Sequence, residues 1–211
     1  MRIALFGASG TIGRRIAQEA LARGHQVTGI VRDVKKIDDP RIHAVQGDVT
    51  DAASLANLLK GHDAVISAVG PAPGAAPTSP AYAARALVQA LPKAGVKRLI
   101  VVGGAGSLEV KPGMQLVDSP DFPKSWKPVA LSHRDALKIF RESGGALDWT
   151  YVSPAALIEP GMRTGKYRVG GDQLLVDDKG RSRITTEDYA AALLDELEHP
   201  RHLRRRITVA Y

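Results

Sequence analysis

A glycine-rich turn near the N-terminus constrains the fold of this 211-residue chain more than any other feature. The turn reads Gly7-Ala8-Ser9-Gly10-Thr11-Ile12-Gly13, and it lies between a short apolar run at residues 3–6 and a helical pattern over residues 12–23. A strand, a glycine turn and a helix in this order are typical of folds that bind a dinucleotide. Unpaired amides at the helix N-terminus would then bind the pyrophosphate.

Each glycine of the turn has its own expected role. Gly7 allows the tight turn, Gly10 lets the phosphates approach the backbone, and Gly13 lets the helix pack closely on the strand. The spacing is GxxGxxG rather than the GxGxxG of the commonest dehydrogenases, and a purely structural surface turn is the alternative. The other residues expected to contact the cofactor here are Ser9, Thr11, Ile12 and Arg14.

The composition predicts one α/β domain over residues 1–211, with a small substrate-side insertion around residues 158–183. Hydrophobic residues make up 44% of the chain. The chain has no run of 18 apolar residues, so the sequence predicts no membrane span. The chain has no cysteine, which excludes disulfides and thiolate metal sites, and we expect no metal. The first residues run directly into a strand, so we expect no signal peptide and a cytoplasmic location.

The net charge of +7 raises the question of nucleic-acid binding. The basic residues are spread along the chain, and their densest group, at residues 201–206, adjoins a predicted last strand. No aromatic residues alternate with basic ones, and no nucleic-acid motif is present. We therefore expect a basic surface and a pocket for a phosphorylated cofactor rather than a nucleic-acid partner.

The end of the second predicted strand indicates which nucleotide is preferred. That strand ends at Arg32, where enzymes that prefer NAD place a carboxylate for the ribose hydroxyls. A guanidinium instead pairs with a 2′-phosphate. Lys35 and Lys36 follow, although each is also explained as a solvated loop charge. We predict NADP(H) over NAD(H), with Arg14 as a second basic contact.

Other cofactor contacts are expected where later strands end, because ligands of parallel sheets bind beyond the carboxyl ends of the strands. Asp48 follows the third predicted strand and would accept a hydrogen bond from the adenine amine, with Val49 against the ring. The small residues Ala68, Val69 and Gly70 end the fourth strand and would lie against the cofactor.

The reacting end of the cofactor is expected near the fifth and sixth strands. Gly103 and Gly104 end the fifth strand and predict close approach of the nicotinamide ribose or the substrate, with Ser107 beside them. Ser153 and Pro154 end the sixth strand and complete the predicted cofactor contacts.

Two further segments have predicted structures. Residues 71–80 are rich in proline, alanine and glycine, and they predict either a lid over the cofactor or a flexible connection. Residues 166–169 and 173–176 predict a hairpin.

Together these motifs resemble the atypical short-chain dehydrogenase/reductase family, in particular its NADH-flavin reductase-like and biliverdin reductase B-like members. The resemblance spans nearly the whole chain and rests on residues 7–13, 47–51, 63–70, 101–107, 148–154 and 184–190. It implies an α/β, Rossmann-type, doubly wound and mostly parallel sheet of about seven strands in the order 3-2-1-4-5-6-7. Helices would cover both faces, and the single domain would bind NAD(P).

The chain departs from the wider family's Tyr-x-x-x-Lys signature for proton transfer. Lys138 occupies a plausible lysine position, but Arg134 stands four residues earlier, with His133 beside it. This departure disfavours an alcohol dehydrogenase. It does not disfavour reduction of a ring acceptor, because such an acceptor takes its proton from solvent. His133 and Ser107 remain candidate catalytic contacts to the acceptor. The structural alternative for His133 is a surface residue at the start of a helix, and the alternative for Ser107 is a residue that caps a turn.

The resemblance therefore implies an NAD(P)H-dependent reductase that passes hydride to a flavin, a quinone or a similar small acceptor. We expect no membrane partner, and a monomer or a homodimer. NmrA-type relatives supply an alternative, a non-catalytic NADP-sensing regulatory protein. A nucleotide-sugar epimerase or dehydratase is disfavoured by the missing tyrosine and by the short C-terminal part.

Overall fold

Strands and helices alternate along the chain, as the sequence pattern predicts. The computed structural model describes residues 1–70 and 79–211. The helices in these ranges are α1 (Thr11–Ala22), α2 (Ala52–Leu58), α3 (Ser79–Ala94), α4 (Lys127–Ser143) and α5 (Thr186–Glu198). The strands are β1 (Arg2–Phe6), β2 (Gln26–Val31), β3 (His43–Gln46), β4 (Ala64–Ser67), β5 (Arg98–Val102), β6 (Glu109–Lys111), β7 (Met114–Gln115), β8 (Asp148–Pro154), β9 (Leu157–Glu159), β10 (Arg168–Gly170), β11 (Arg183–Thr185) and β12 (Arg205–Ala210).

Seven of these strands form a parallel sheet in the order β3-β2-β1-β4-β5-β8-β12. This order confirms the predicted 3-2-1-4-5-6-7 arrangement. The central strand β1 pairs with β2 on one side and with β4 on the other, and Ala4 lies between Thr28 and Val65. Because the order of strands reverses at β1, a crevice opens at the carboxyl ends of β1 and β4, where doubly wound proteins bind their ligands.

An eighth strand extends the seven parallel strands, in agreement with the predicted, mostly parallel sheet of about seven strands. Strand β10 pairs antiparallel with β12 at the edge of the sheet. The predicted hairpin between residues 166–169 and 173–176 is therefore wrong, and Gln173 instead forms an isolated bridge with Glu109. The edge of β12 has unpaired backbone groups that need partners, and β10 supplies them.

Helices cover both faces of the sheet, because alternate strand residues belong to two apolar layers. In β1, Ile3 and Leu5 pack with α1 and α5, whereas Ala4 and Phe6 pack on the side of α2, α3 and α4. Tyr151 of β8 belongs to the second layer. The predicted doubly wound fold is thus confirmed.

Side chains define where α2 and α5 begin. Asp51 accepts hydrogen bonds from the amides of Ala53 and Ser54 at the start of α2. Thr185 accepts one from the amide of Asp188 at the start of α5, at 3.1 Å. The Asp188 carboxylate accepts hydrogen bonds from the Thr164 and Gly165 amides. Part of the predicted insertion around residues 158–183 is therefore fastened to α5.

Within the described ranges, no helix is both long and apolar enough to cross a membrane. The predicted lid or flexible connection, residues 71–80, lies outside the described residues except for Ser79 and Pro80, which begin α3.

Candidate functional site

The glycine turn between β1 and α1 has the geometry that its sequence predicts. Gly7 has a φ of +77°, and a Cβ on it would lie 2.3 Å from the Ala68 carbonyl oxygen. A Cβ on Gly13 would lie 2.0 Å from the Gly7 carbonyl oxygen, so α1 packs against the turn as closely as glycine allows. By contrast, a Cβ on Gly10 would approach only the Gly7 oxygen, at 3.3 Å. The internal packing therefore demands Gly7 and Gly13, whereas a Cβ on Gly10 would meet a single backbone oxygen and would border the cleft.

The N-terminus of α1 is arranged to bind an anion. Its N-cap residue is Gly10, which offers no side-chain hydrogen bond to the first turn, and that turn contains no acidic residue. The amides at Thr11, Ile12 and Gly13 therefore lack a side-chain cap. These donors and the positive end of the helix dipole point towards the crevice.

A cleft of about 660 Å³ lies over this turn. Its volume is in the range of small-molecule and cofactor sites. It collects most of the predicted cofactor contacts, namely Gly7, Ser9, Gly10, Thr11, Ile12, Gly13, Arg32, Asp48, Val49, Ala68, Val69 and Gly70. Four segments that are distant in sequence therefore converge on one site, and the residues present fit a bound dinucleotide.

Sequence reasoning missed several residues of the cleft, of which Tyr82 is the largest side chain. Tyr82 lies on the first turns of α3 and is 54% exposed, with the Arg85 guanidinium 6.0 Å from its ring centre. An exposed aromatic residue on an alanine-rich helix has no sequence signal of its own. The other missed residues are Phe6, Ile30, Val31, Gly47, Thr50 and Ser79.

Asp48 is held in the cleft as a carboxylate. Its Oδ1 accepts hydrogen bonds from the amide and the hydroxyl of Thr50, at 2.9 and 2.8 Å. These bonds, together with the charge of Arg32, lower the pKa of Asp48. Its Oδ2 makes no hydrogen bond among the described residues, so one acceptor oxygen is free for a ligand.

Arg32 and Arg14, both predicted to contact the cofactor, occupy different environments. Arg32 lines the cleft, is exposed, and makes no side-chain hydrogen bond or ion pair within the described part of the chain. Arg14 lies outside the cleft. Its guanidinium donates to the Ser9 and Lys36 carbonyl oxygens and to Asp38, at 3.1, 3.2 and 2.8 Å. Arg14 thus braces the loop after β2, and its expected role as a second phosphate contact remains a prediction.

The predicted residues at the ends of β5 and β8 lie outside the cleft. Gly103 and Gly104 make room for side chains, since a Cβ would lie 2.1 Å from the Tyr151 ring and 3.0 Å from His133, respectively. Ser107 is buried, and its hydroxyl accepts a hydrogen bond from Arg206 at 2.9 Å. The other two residues, Ser153 and Pro154, are buried at the end of β8.

The half-buried His133 of α4 and the buried Tyr151 of β8 form a polar pair. The Tyr151 hydroxyl donates to the His133 carbonyl oxygen at 2.8 Å and lies 3.3 Å from His133 Nδ1. Burial lowers the pKa of His133 to about 4 and raises the pKa of Tyr151 well above its usual range. Both side chains are therefore uncharged at neutral pH.

Lys138 does not join this pair. It is 70% exposed on α4, with its Nζ 3.9 Å from Glu142. Lys138 is therefore not among the residues that line the cleft. Among the described residues, no group of three histidine or acidic side chains has a metal-binding arrangement.

Comparison with known proteins gives several matches over the whole chain. The sequence profile of an NAD(P)H-binding family matches residues 7–200. A candidate exported protein from Burkholderia pseudomallei is 50% identical, with a TM-score of 0.92 and 100% of each chain covered. A candidate epimerase from Bacteroides thetaiotaomicron is 40% identical, with a TM-score of 0.91 over 100% of this chain and 96% of that one.

A third structure, of a candidate NADH-flavin reductase from Streptococcus pneumoniae, is 37% identical. Its TM-score is 0.88, and the match covers 100% of this chain and 99% of that one. The matched profile includes the glycine turn and every other residue of the cleft except Phe6. By its sequence, its sheet order and its cofactor-sized cleft, the chain belongs to the NAD(P)H-binding family, within the atypical short-chain dehydrogenases/reductases.

Proposed function

We propose that this protein is an NADPH-dependent reductase that passes hydride to a flavin, a quinone or a similar small ring. The observation that carries the proposal is a cofactor-sized cleft over the glycine turn. The sequence supports a ring acceptor, because Arg134 rather than a tyrosine stands four residues before Lys138. A bound reduced nicotinamide supplies the hydride. The name of the Streptococcus pneumoniae relative supports a flavin as the acceptor.

The chain's own residues hold the cofactor in this proposal. The amides at the N-terminus of α1 bind the pyrophosphate, and Gly10 leaves room for it. The free Oδ2 of Asp48 accepts a hydrogen bond from the adenine amine, and Val49 packs against the adenine ring. Holding the nicotinamide against a planar acceptor is then sufficient for hydride transfer, because solvent supplies any proton that the acceptor needs.

Arg32 is the residue that selects NADP(H). Its exposed guanidinium lines the cleft at the end of β2 and makes no hydrogen bond or ion pair with the described side chains, so it is available to bind a 2′-phosphate. Replacing Arg32 by glutamate removes that pairing and adds repulsion. We expect the ratio of NADPH to NADH affinity to fall roughly 10- to 100-fold.

Fluorescence titration with each nucleotide measures this ratio. Lys93→Glu is the matched control, because Lys93 is exposed near the end of α3, outside the cleft, and undergoes the same change of charge. An unchanged ratio in Arg32→Glu would mean that Arg32 does not contact the 2′-phosphate.

The first experiment measures oxidation of NADPH, and separately of NADH, with FMN, riboflavin and simple quinones as acceptors. Turnover that prefers NADPH supports the proposal. Tight NADPH binding without turnover on any acceptor would favour the alternative, an NADP-sensing regulatory protein. A pull-down with and without NADP then tests that alternative, because a sensor's protein partner should change with the nucleotide.

We also propose a cytoplasmic protein that acts as a monomer or a homodimer, with a small molecule rather than a nucleic acid as its partner. The absence of cysteine supports the cytoplasm. Cell fractionation tests this point directly, since the related Burkholderia pseudomallei protein is a candidate exported protein.

A further inference from the structure

The dinucleotide cleft has an aromatic ring in its wall that the core does not use. Tyr82, on the first turn of α3, lines the cleft and is 54% exposed. It belongs to neither apolar layer of the core, although the alanines around it, Ala81, Ala83 and Ala84, are buried. Phe6 also lines the cleft, but it is only 2% exposed. Among the described residues, Tyr82 is therefore the aromatic side chain of the cleft that a bound molecule can reach.

Tyr82 contacts a cation on its own helix. The guanidinium carbon of Arg85 lies 6.0 Å from the centre of the Tyr82 ring, because residues three apart share one face of a helix. Arg85 is exposed and forms no ion pair with a described side chain, and the Tyr82 hydroxyl makes no hydrogen bond with a described residue. The contact with Arg85 orients the ring, and the exposed part of the ring borders the cleft.

The packing of α2 against α3 brings Tyr82 towards the part of the cleft that contains Asp48. Leu55 of α2 and Ala83 of α3 belong to the same apolar layer. Both helices begin at the carboxyl edge of the sheet, so residues 48–50, just before α2, and the first turn of α3 line the same cleft. The free carboxylate oxygen of Asp48 suits the polar edge of a base, and the exposed ring of Tyr82 suits its apolar face.

We propose that Tyr82 stacks on the adenine of the dinucleotide and thereby sets the affinity for the adenine half of the cofactor. Stacking of a base on an aromatic side chain strengthens binding substantially, because every base has an apolar π-face. In the proposed function, Asp48 accepts a hydrogen bond from the amine at the edge of the base, which leaves the faces of the base to be covered. Arg85 adds a positive charge near a ligand with negative phosphates. This inference rests on the proposed function and adds the residue that holds the base.

Calorimetric titration with 2′,5′-ADP tests the stack, because this ligand contains the adenine and the 2′-phosphate but no nicotinamide. We expect Tyr82→Ala to raise the Kd about tenfold, and Tyr82→Phe, which keeps the ring, to stay within about twofold of the wild type. Reduced nicotinamide mononucleotide has no adenine, so its Kd should be the same in Tyr82→Ala and in the wild type. Gln89→Ala is the matched control, since Gln89 is exposed two turns later on α3 and does not line the cleft.

Two results would overturn the proposal. One is a wild-type Kd for 2′,5′-ADP in Tyr82→Ala. The other is an equal loss of affinity in Tyr82→Ala and Tyr82→Phe, because the hydroxyl rather than the ring would then bind the ligand. Both variants should fold with the wild-type Tm, since Tyr82 lies outside the two apolar layers.

Proton NMR gives a readout that needs no turnover. An aromatic ring stacked on the base should shift the adenine H2 and H8 signals of bound 2′,5′-ADP upfield in the wild type and in Tyr82→Phe, and this shift should shrink in Tyr82→Ala. If no acceptor is reduced but the affinity and the upfield shift depend on the Tyr82 ring, the reductase proposal fails and base stacking stands. If an acceptor is reduced and Tyr82→Ala binds 2′,5′-ADP like the wild type, only the role of Tyr82 fails.

Discussion

Replacing Gly10 by alanine separates cofactor binding from folding within one motif. Gly10 lines the cleft with φ −81° and ψ 168°, a conformation that alanine adopts without strain. The added Cβ would approach only the Gly7 oxygen, at 3.3 Å. Alanine is a poorer N-cap residue than glycine, which lowers the free energy of unfolding by about 1 kcal/mol. Alanine also makes the unfolded chain less flexible, which offsets about 0.4–1 kcal/mol of that loss. We expect the Tm without cofactor to change by less than about 4 °C.

Cofactor affinity should fall by much more than stability. The methyl group would occupy the space in which the pyrophosphate meets the backbone, and this contact requires glycine. We expect the Kd for NADPH to rise at least about tenfold, which corresponds to about 1.4 kcal/mol. Isothermal titration calorimetry measures this change. A folded Gly10→Ala protein with the wild-type Kd would refute the placement of the pyrophosphate at this turn.

Gly13→Ala is the matched control, since it adds the same methyl group to the same turn. Here the Cβ would lie 2.0 Å from the Gly7 carbonyl oxygen, so α1 must move away from the turn. Such overpacking costs roughly 1–3 kcal/mol, or about 2–12 °C in Tm. Wild-type thermal stability of Gly13→Ala would contradict the close helix packing deduced for this position.

Two further predictions concern stability. Gly103→Ala should lower the free energy of unfolding by roughly 1–3 kcal/mol, because its Cβ would lie 2.1 Å from the buried Tyr151 ring. Gly145→Ala is the control. It should leave thermal unfolding nearly unchanged, because the space around Gly145 is open. Burial opposes ionisation of Asp188, but hydrogen bonds from Thr164, Tyr211 and Gly165 lower its pKa overall. A lowered pKa stabilises the fold above the unfolded value of about 3.9. The Tm advantage of wild type over Asp188→Asn should therefore shrink as pH falls below about 4, and a constant difference would exclude this role.

The parts of the site that could be predicted are those that depend on local chain order. The turn from Gly7 to Gly13 combines a strand end, a tight turn and a helix start within a few residues, so its geometry follows from neighbouring residues. The positions of Asp48 and Val69 in the cleft were also predictable, because parallel strands bring their carboxyl ends to one edge of the sheet. The cleft collects all of these residues.

Other roles depended on neighbours that are distant in sequence. Arg14 lies beside the turn, and Asp38 and the Lys36 carbonyl oxygen hold its guanidinium against the loop after β2. Gly103 is predicted to allow close approach of the cofactor, and its missing side chain also makes room for Tyr151. In both cases the partner belongs to another element, and no local pattern identifies it.

The sequence by itself determined the fold class and the position of the glycine turn between a strand and a helix, which follow from periodicity and from steric rules that act over a few residues. The order of the parallel strands was implied by the resemblance to a known family, and the sheet has that order. Only the tertiary structure decided that β10 completes the edge of the sheet, that Tyr82 walls the cleft, and that Tyr151 orients His133. Each of these depends on which surfaces meet after folding, and the packing of distant segments determines that.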